Sequence, residues 1–257
     1  MATHTYAQTQ RQANRQRTWL RCLLFGLSLA LFIISLAVTT TLLFTPLYQA
    51  EIGWSGLSAA CGLTPAQLMD NYRTLIDYNT LWGSRELTFP DFVMSRSGAA
   101  HFAEVRRIFL AFQVGIPVFG LLTVVGLWLA RQEIRGVRPC NAGGATTQGN
   151  GGVEAKGALL SLNAATDPYR FLLTGGVIAI ALPAGLGGLC ALAWDRVYVT
   201  FHQLFFDNDY WIFDEHTDPV IRALPDQFFL HESILIFALV VLGGVVSVLA
   251  YRMLRRW

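Results

Sequence analysis

Two of the chain's five histidines stand where proton transfer at a membrane surface would need them. His101 lies in "HFAEVRRIF", just before a long apolar run, and His202 lies in "FHQLFFDNDYWIFDEHTDP", just after another. Imidazole gains and loses a proton near neutral pH, which suits it to general acid–base work. Glu104 follows His101 by one helical turn, and Asp207, Asp209, Asp214, Glu215 and Asp218 follow His202. A carboxylate can orient an imidazole; the same acids also serve simply to keep an exposed loop soluble. The spacing leaves open whether Glu104 faces His101 or Arg107. The other three histidines read as bystanders. His4 falls in a disordered tail, His216 in a solvated acidic turn, and His231 at the entry to the last apolar run, as an interfacial anchor.

No other chemistry is written in the chain. It has no nucleophile elbow, phosphate loop, dinucleotide fingerprint or HExxH helix. Its four cysteines, Cys22, Cys61, Cys140 and Cys190, include no CxxC pair and suggest neither zinc nor a disulfide framework.

The elements that must position the histidines are membrane helices. Of the 257 residues, 53% are hydrophobic and 14% charged, against about 25% charged in an average soluble domain. A helix needs about 20 apolar residues to cross about 30 Å of hydrocarbon. Four stretches qualify, at about 20–44, 108–130, 171–194 and 234–254, within one membrane domain spanning 1–257. The first is longer than a signal-peptide core and is followed by no A-x-A site, so it reads as an anchor. Basic residues gather in three places: Arg11 to Arg21, Arg131 to Arg170, and Arg252 to Arg256. The positive-inside rule then puts both termini and the middle connection in the cytoplasm. Loops 45–107 and 195–231 face outward, packed as an extracellular cap. The expected architecture is all-α, with four transmembrane helices in the plasma membrane.

Within the middle connection, 140–158 ("CNAGGATTQGNGGVEAKGA") lacks bulk and reads as a flexible cytoplasmic linker. In the first outer loop, Thr64-Pro65 is a helix start. Leu68, Tyr72, Leu75, Ile76 and Asn79 then mark an amphipathic helix lying on the membrane or on the other loop. "SRSGAAHFAEVRRIFLAF" runs as helix into the second span and sets His101 about two turns above the boundary. The middles of the spans hold almost no ionisable residues, which argues against an ion or proton pathway.

The block "FHQLFFDNDYWIFDEHTDPVIRALPDQFF" resembles the second outer loop of the lipoprotein intramolecular transacylases, the Lit enzymes of Gram-positive bacteria. "HFAEVRRIF" is similar to that family's histidine motif, and the "NYRTLIDY" helix and four-span layout also fit. The glycine-rich linker is a departure from the family pattern. The resemblance implies transfer of the sn-2 acyl chain of an S-diacylglyceryl group to the α-amine of the N-terminal cysteine. The product is an N-acyl-S-monoacylglyceryl (lyso) lipoprotein. It implies His101 and His202 as catalytic residues, no metal or other cofactor, and diacylglyceryl-modified lipoproteins and membrane lipids as partners, with no nucleic acid. His101 is favoured as base and His202 as acid or oxyanion partner, the exchanged roles serving almost as well. Glu104, Tyr72, Arg73, Tyr78, Phe205, Phe206 and Trp211 are the expected substrate-binding residues. The competing reading is a non-catalytic membrane partner that binds or chaperones secreted proteins through its outer loops.

Overall fold

Long apolar runs leave a backbone that must satisfy its own polar groups, and a helix does so within one segment. In the computed structural model, which describes residues 2–137 and 167–256, the chain is helical wherever such runs occur. The linker 140–158 lies outside the described residues. The helices are α1 (Ala2–Leu43), α2 (Thr45–Trp54), α3 (Leu57–Cys61), α4 (Pro65–Tyr78), α5 (Arg96–Val137), α6 (Arg170–Phe205) and α7 (Asp226–Leu254), with a 3₁₀ turn at Pro219–Ala223. Among the described residues, four helical segments are long and apolar enough to cross a membrane: Gln16–Leu43, Arg96–Ile134, Arg170–Cys190 and Asp226–Leu254. The architecture is therefore the expected all-α, four-span one.

One expectation is corrected at the N-terminus. The tail carrying His4 is not disordered, because α1 begins at Ala2. No proline or glycine precedes Gly26, and the alanines, glutamines and arginines there are good helix formers.

The chain divides into two compact units. One comprises the described residues within Met1–Phe32, Val118–Ala179 and Gly243–Trp257; the other comprises Ile33–Pro117 and Ile180–Leu242. The first unit is laced by polar ties. Arg21 pairs with Glu133 at 2.5 Å, the Ser28 hydroxyl donates to the Phe119 carbonyl at 3.1 Å, and the Ser247 hydroxyl donates to the Leu172 carbonyl at 2.8 Å.

The second unit holds both histidines and a core of its own. Leu68, fully buried, packs with Leu57, Tyr48, Tyr72, Val220 and Phe228. Burying one such leucine contributes about 1.5–3 kcal/mol. The two loops thus pack on each other, and the Tyr48 hydroxyl seals them by donating to the Ala223 carbonyl at 3.0 Å. Helix α4 starts as its sequence requires, with a Thr64–Gln67 capping box and Pro65 in the first turn. Its apolar stripe faces this core, so it lies on the other loop. Helix α3 is bracketed by Gly56 and Gly62 at φ 60° and 68°, a left-handed backbone that glycine adopts at no steric cost.

Candidate active site

His101 is placed by the start of α5. The backbone N–H of Ser95 donates to Asp218 Oδ1 at 2.7 Å, and that of Gly98 donates to the Ser95 hydroxyl at 3.0 Å. Gly98 is needed for this approach, since a Cβ there would sit 2.3 Å from Asp218 Oδ1. Asp218 is thus buried and structural, not one more solvated acid of the loop. A carboxylate at a helix N-terminus also complements its dipole. Helix α5 then runs 42 residues without a break. At about 1.5 Å per residue it is far longer than a bilayer core, and its most apolar stretch begins near Ile108, beyond His101.

His202 is placed by the end of α6. Helical dihedrals fail at Ala193 (φ −157°, ψ 57°) and then resume. The last turns, with Tyr198 and His202, therefore take a direction of their own. His202 Nδ1 lies 2.8 Å from the Tyr198 carbonyl one turn earlier. A carbonyl can only accept, so Nδ1 carries the proton and Nε2 of the neutral ring keeps its lone pair.

The two rings meet, with centroids 5.9 Å apart. Both residues are buried, at 5% and 8% exposure. Phe206 stands 4.7 Å from His101 and 5.6 Å from His202. Phe213 lies 5.5 Å from His101, and Trp211 stacks on His202 at 4.7 Å. Burial first, and the charge of His202 second, hold His101 below the ordinary histidine range. His202 is also lowered by burial, while its bond to the Tyr198 carbonyl and the Asp226 carboxylate oppose the shift. Desolvation disfavours the charged ring, so both imidazoles are neutral at neutral pH.

Glu104 faces neither His101 nor Arg107 as its partner. Its Oε1 accepts from Asn208 Nδ2 at 2.8 Å, tying α5 to the segment that follows His202. Its Oε2 is buried without a partner. Phe205 is 53% exposed and packs on Phe201 at 4.7 Å. The α4 residues make their contacts elsewhere. Tyr72 is stacked on Tyr48 at 3.9 Å, exposed Arg73 pairs with Asp70 at 3.3 Å, and the Arg106 guanidinium lies over the Tyr78 ring at 4.6 Å. His231, read as an interfacial anchor, instead holds the fully buried Glu51, with Nδ1 to Oε2 at 2.7 Å. His216 is exposed, as expected of a turn residue.

Sequence reasoning missed Asn208 and the Tyr198 carbonyl. Tyr198 stands four residues before His202, the one signal available for a helical backbone acceptor. Among the described residues, no three His, Cys, Asp or Glu side chains gather closely enough to hold a metal ion.

Comparison with known proteins follows the same residues. The family model "Lipoprotein intramolecular transacylase Lit" matches residues 23–229. A solved structure of the membrane-integral lipoprotein intramolecular transacylase Lit from Bacillus cereus is similar, with 26% identity and a TM-score of 0.77 over 94% of this chain and 97% of that one. A histidine-to-alanine variant of the Bacillus cereus protein is also similar, with 25% identity and a TM-score of 0.72 over 96% and 97%. No curated protein matches the chain.

Proposed function

The chain belongs to the lipoprotein intramolecular transacylase family, Lit, and on that premise we propose that it converts diacylglyceryl lipoproteins to their lyso form. The sn-2 acyl chain leaves the glyceryl oxygen and is joined to the α-amine of the N-terminal cysteine. The observation that carries the reading is the meeting of two buried imidazoles from separate loops. Ester and amine belong to one molecule, so holding them together supplies up to about 7–11 kcal/mol of the barrier without a soluble acyl donor.

His202 is the base in this scheme. Its Nε2 lone pair is left free by the bond at Nδ1, and the imidazolium it becomes is supported by the Tyr198 carbonyl and the Asp226 carboxylate. That exchanges the roles the sequence favours. His101 lies against the same reacting atoms and serves the leaving glyceryl oxygen. Glu104, with an oxygen that has no partner among the described residues, accepts from the incoming ammonium. An α-amine with a pKa of about 7.7–8.0 is mostly protonated at pH 7, and attack proceeds from the neutral fraction. Phe205, Phe206 and Trp211 flank the acyl chain. Tyr72, Arg73 and Tyr78 belong to the scaffold.

The basic residues of the termini and middle connection put those regions in the cytoplasm. The histidines therefore face outward from the plasma membrane, where lipoproteins and membrane lipids meet them. Expression in cells whose lipoproteins are diacyl tests the scheme, with mass spectrometry of N-terminal peptides. Lyso-form termini are expected; unchanged diacyl termini in cells that make the protein would sink the reading.

A further inference from the structure

Among the described residues, eight buried side-chain atoms have no hydrogen-bond partner, and three of them lie around the histidine pair: His101 Nδ1, Glu104 Oε2 and Trp211 Nε1. Buried polar groups in folded proteins are nearly always paired, so such a concentration points to groups that a ligand satisfies. Trp211 Nε1–H differs from the other two in being only a donor. It is also held in place. The indole stacks on His202 with the planes 27° apart, and it meets the Tyr198 ring at 6.4 Å. The flanking backbone is fixed by hydrogen bonds from the Tyr210 N–H to Asn208 Oδ1 at 3.0 Å and from the Ile212 N–H to the Asp209 carbonyl at 3.1 Å. Asn208 is itself tied to Glu104. These contacts seat the indole against His202.

We propose that Trp211 Nε1–H is the oxyanion donor of the acyl transfer, a role that rests on the transacylase reading given above. The amine nitrogen attacks the ester carbonyl carbon, the C–N bond forms, and the carbonyl π pair moves to oxygen. Trp211 donates to that oxyanion while His202 Nε2 takes the amine proton. On collapse the C–O bond to the glyceryl oxygen breaks, and the proton held on His202 Nε2 is delivered to that oxygen, which returns His202 to its neutral form. Nothing else is consumed or released. A tetrahedral carbon carries its oxyanion and its new nitrogen as neighbours on one atom. Donor and base must therefore lie side by side, as two stacked rings do. Such a donor acts where charge develops, in a buried site that strengthens it.

The test replaces Trp211 in the full-length protein with 3-benzothienylalanine, which keeps the ring shape and puts sulfur in place of N–H. Trp211→Phe is made in parallel. Each protein is given a synthetic diacylglyceryl lipopeptide, and lyso product is timed by mass spectrometry. Removing one oxyanion donor lowers kcat by about 10²–10³-fold elsewhere, and a fall of that order with KM little changed is expected in both variants. A benzothienyl protein with kcat within about threefold of the unsubstituted enzyme, or with only KM raised, overturns the assignment and leaves Trp211 a packing residue. Should Trp211→Phe fail to fold, the isosteric protein decides alone. An unsubstituted protein that leaves the lipopeptide diacyl fails the transacylase reading itself, a different result from an active enzyme indifferent to the N–H.

Discussion

The rings of His101 and His202 lie 5.9 Å apart although their helices begin at Arg96 and Arg170. Each helix delivers its histidine by a different device: a buried carboxylate at the start of α5, and broken dihedrals near the end of α6. Neither ring could do the work assigned to it without the other loop.

Replacing either histidine by alanine should remove lyso product while the protein still accumulates in the membrane. General acid–base groups contribute typically about 10²–10⁴-fold, and loss in that range is expected for each. Mass spectrometry of lipoprotein termini reads it. Two active variants would move the chemistry elsewhere.

The pH dependence follows from the direction of the shifts. Both imidazoles are lowered by burial, so each stays neutral below the ordinary histidine value of about 6.5. Activity should fall on acidification first as the α-amine protonates, and then along a second limb below about 6.5. Asp226→Asn removes a charge that favours protonated His202, so that second limb should move to lower pH. Initial rates across a pH series show whether it does.

Asn208→Ala should harm both stability and rate. It strips the one hydrogen-bond partner from a carboxylate whose other oxygen is already buried and unpartnered. A buried acceptor left unsatisfied costs about 1–3 kcal/mol, more for a charged group. Thermal unfolding in detergent would show a lowered Tm, and Glu104→Gln in the same background should recover part of it.

Gly98→Ala is expected to loosen the start of α5, because the new methyl would meet Asp218 Oδ1 at 2.3 Å. Overpacking typically costs about 1–3 kcal/mol. The rate should fall with it, since His101 is one turn further along. A variant as stable and active as the parent would show that Asp218 does not set that helix.

His231→Ala removes the ring that holds Glu51, which is 0% exposed. Taking one partner from a buried acceptor costs about 1–3 kcal/mol, and the Ser55 hydroxyl still donates to the other carboxylate oxygen. The pair's other contacts are with Ser55 and Trp54, so the fraction that remains folded should turn over normally. A specific activity measured per folded molecule separates the two effects.

What could be read from the sequence was local. The Thr64-Pro65 start of α4, its apolar stripe and the helical character of the four apolar runs need only neighbouring residues, and the structure has each of them. His101 and His202 stood out by residue type and by their distance from the ends of those runs. The pairings that position them are long-range and carry no local mark. Asp218 looks like any loop acid until Ser95 is beside it, and Glu104 has no visible reason to choose Asn208 over Arg107. A carbonyl acceptor such as that of Tyr198 is still harder to see, because every residue type offers one.

The enclosure of the two histidines bears on fidelity. Water is a nucleophile too, and in an open cleft it would compete with the bound amine and hydrolyse the activated ester to a free fatty acid. Phe206, Phe213 and Trp211 close around the rings and leave them 5% and 8% exposed. In the proposed reaction the aromatic wall would therefore decide who receives the acyl chain: with it in place the chain goes to nitrogen, and a breach in it would turn a transferase into a lipase.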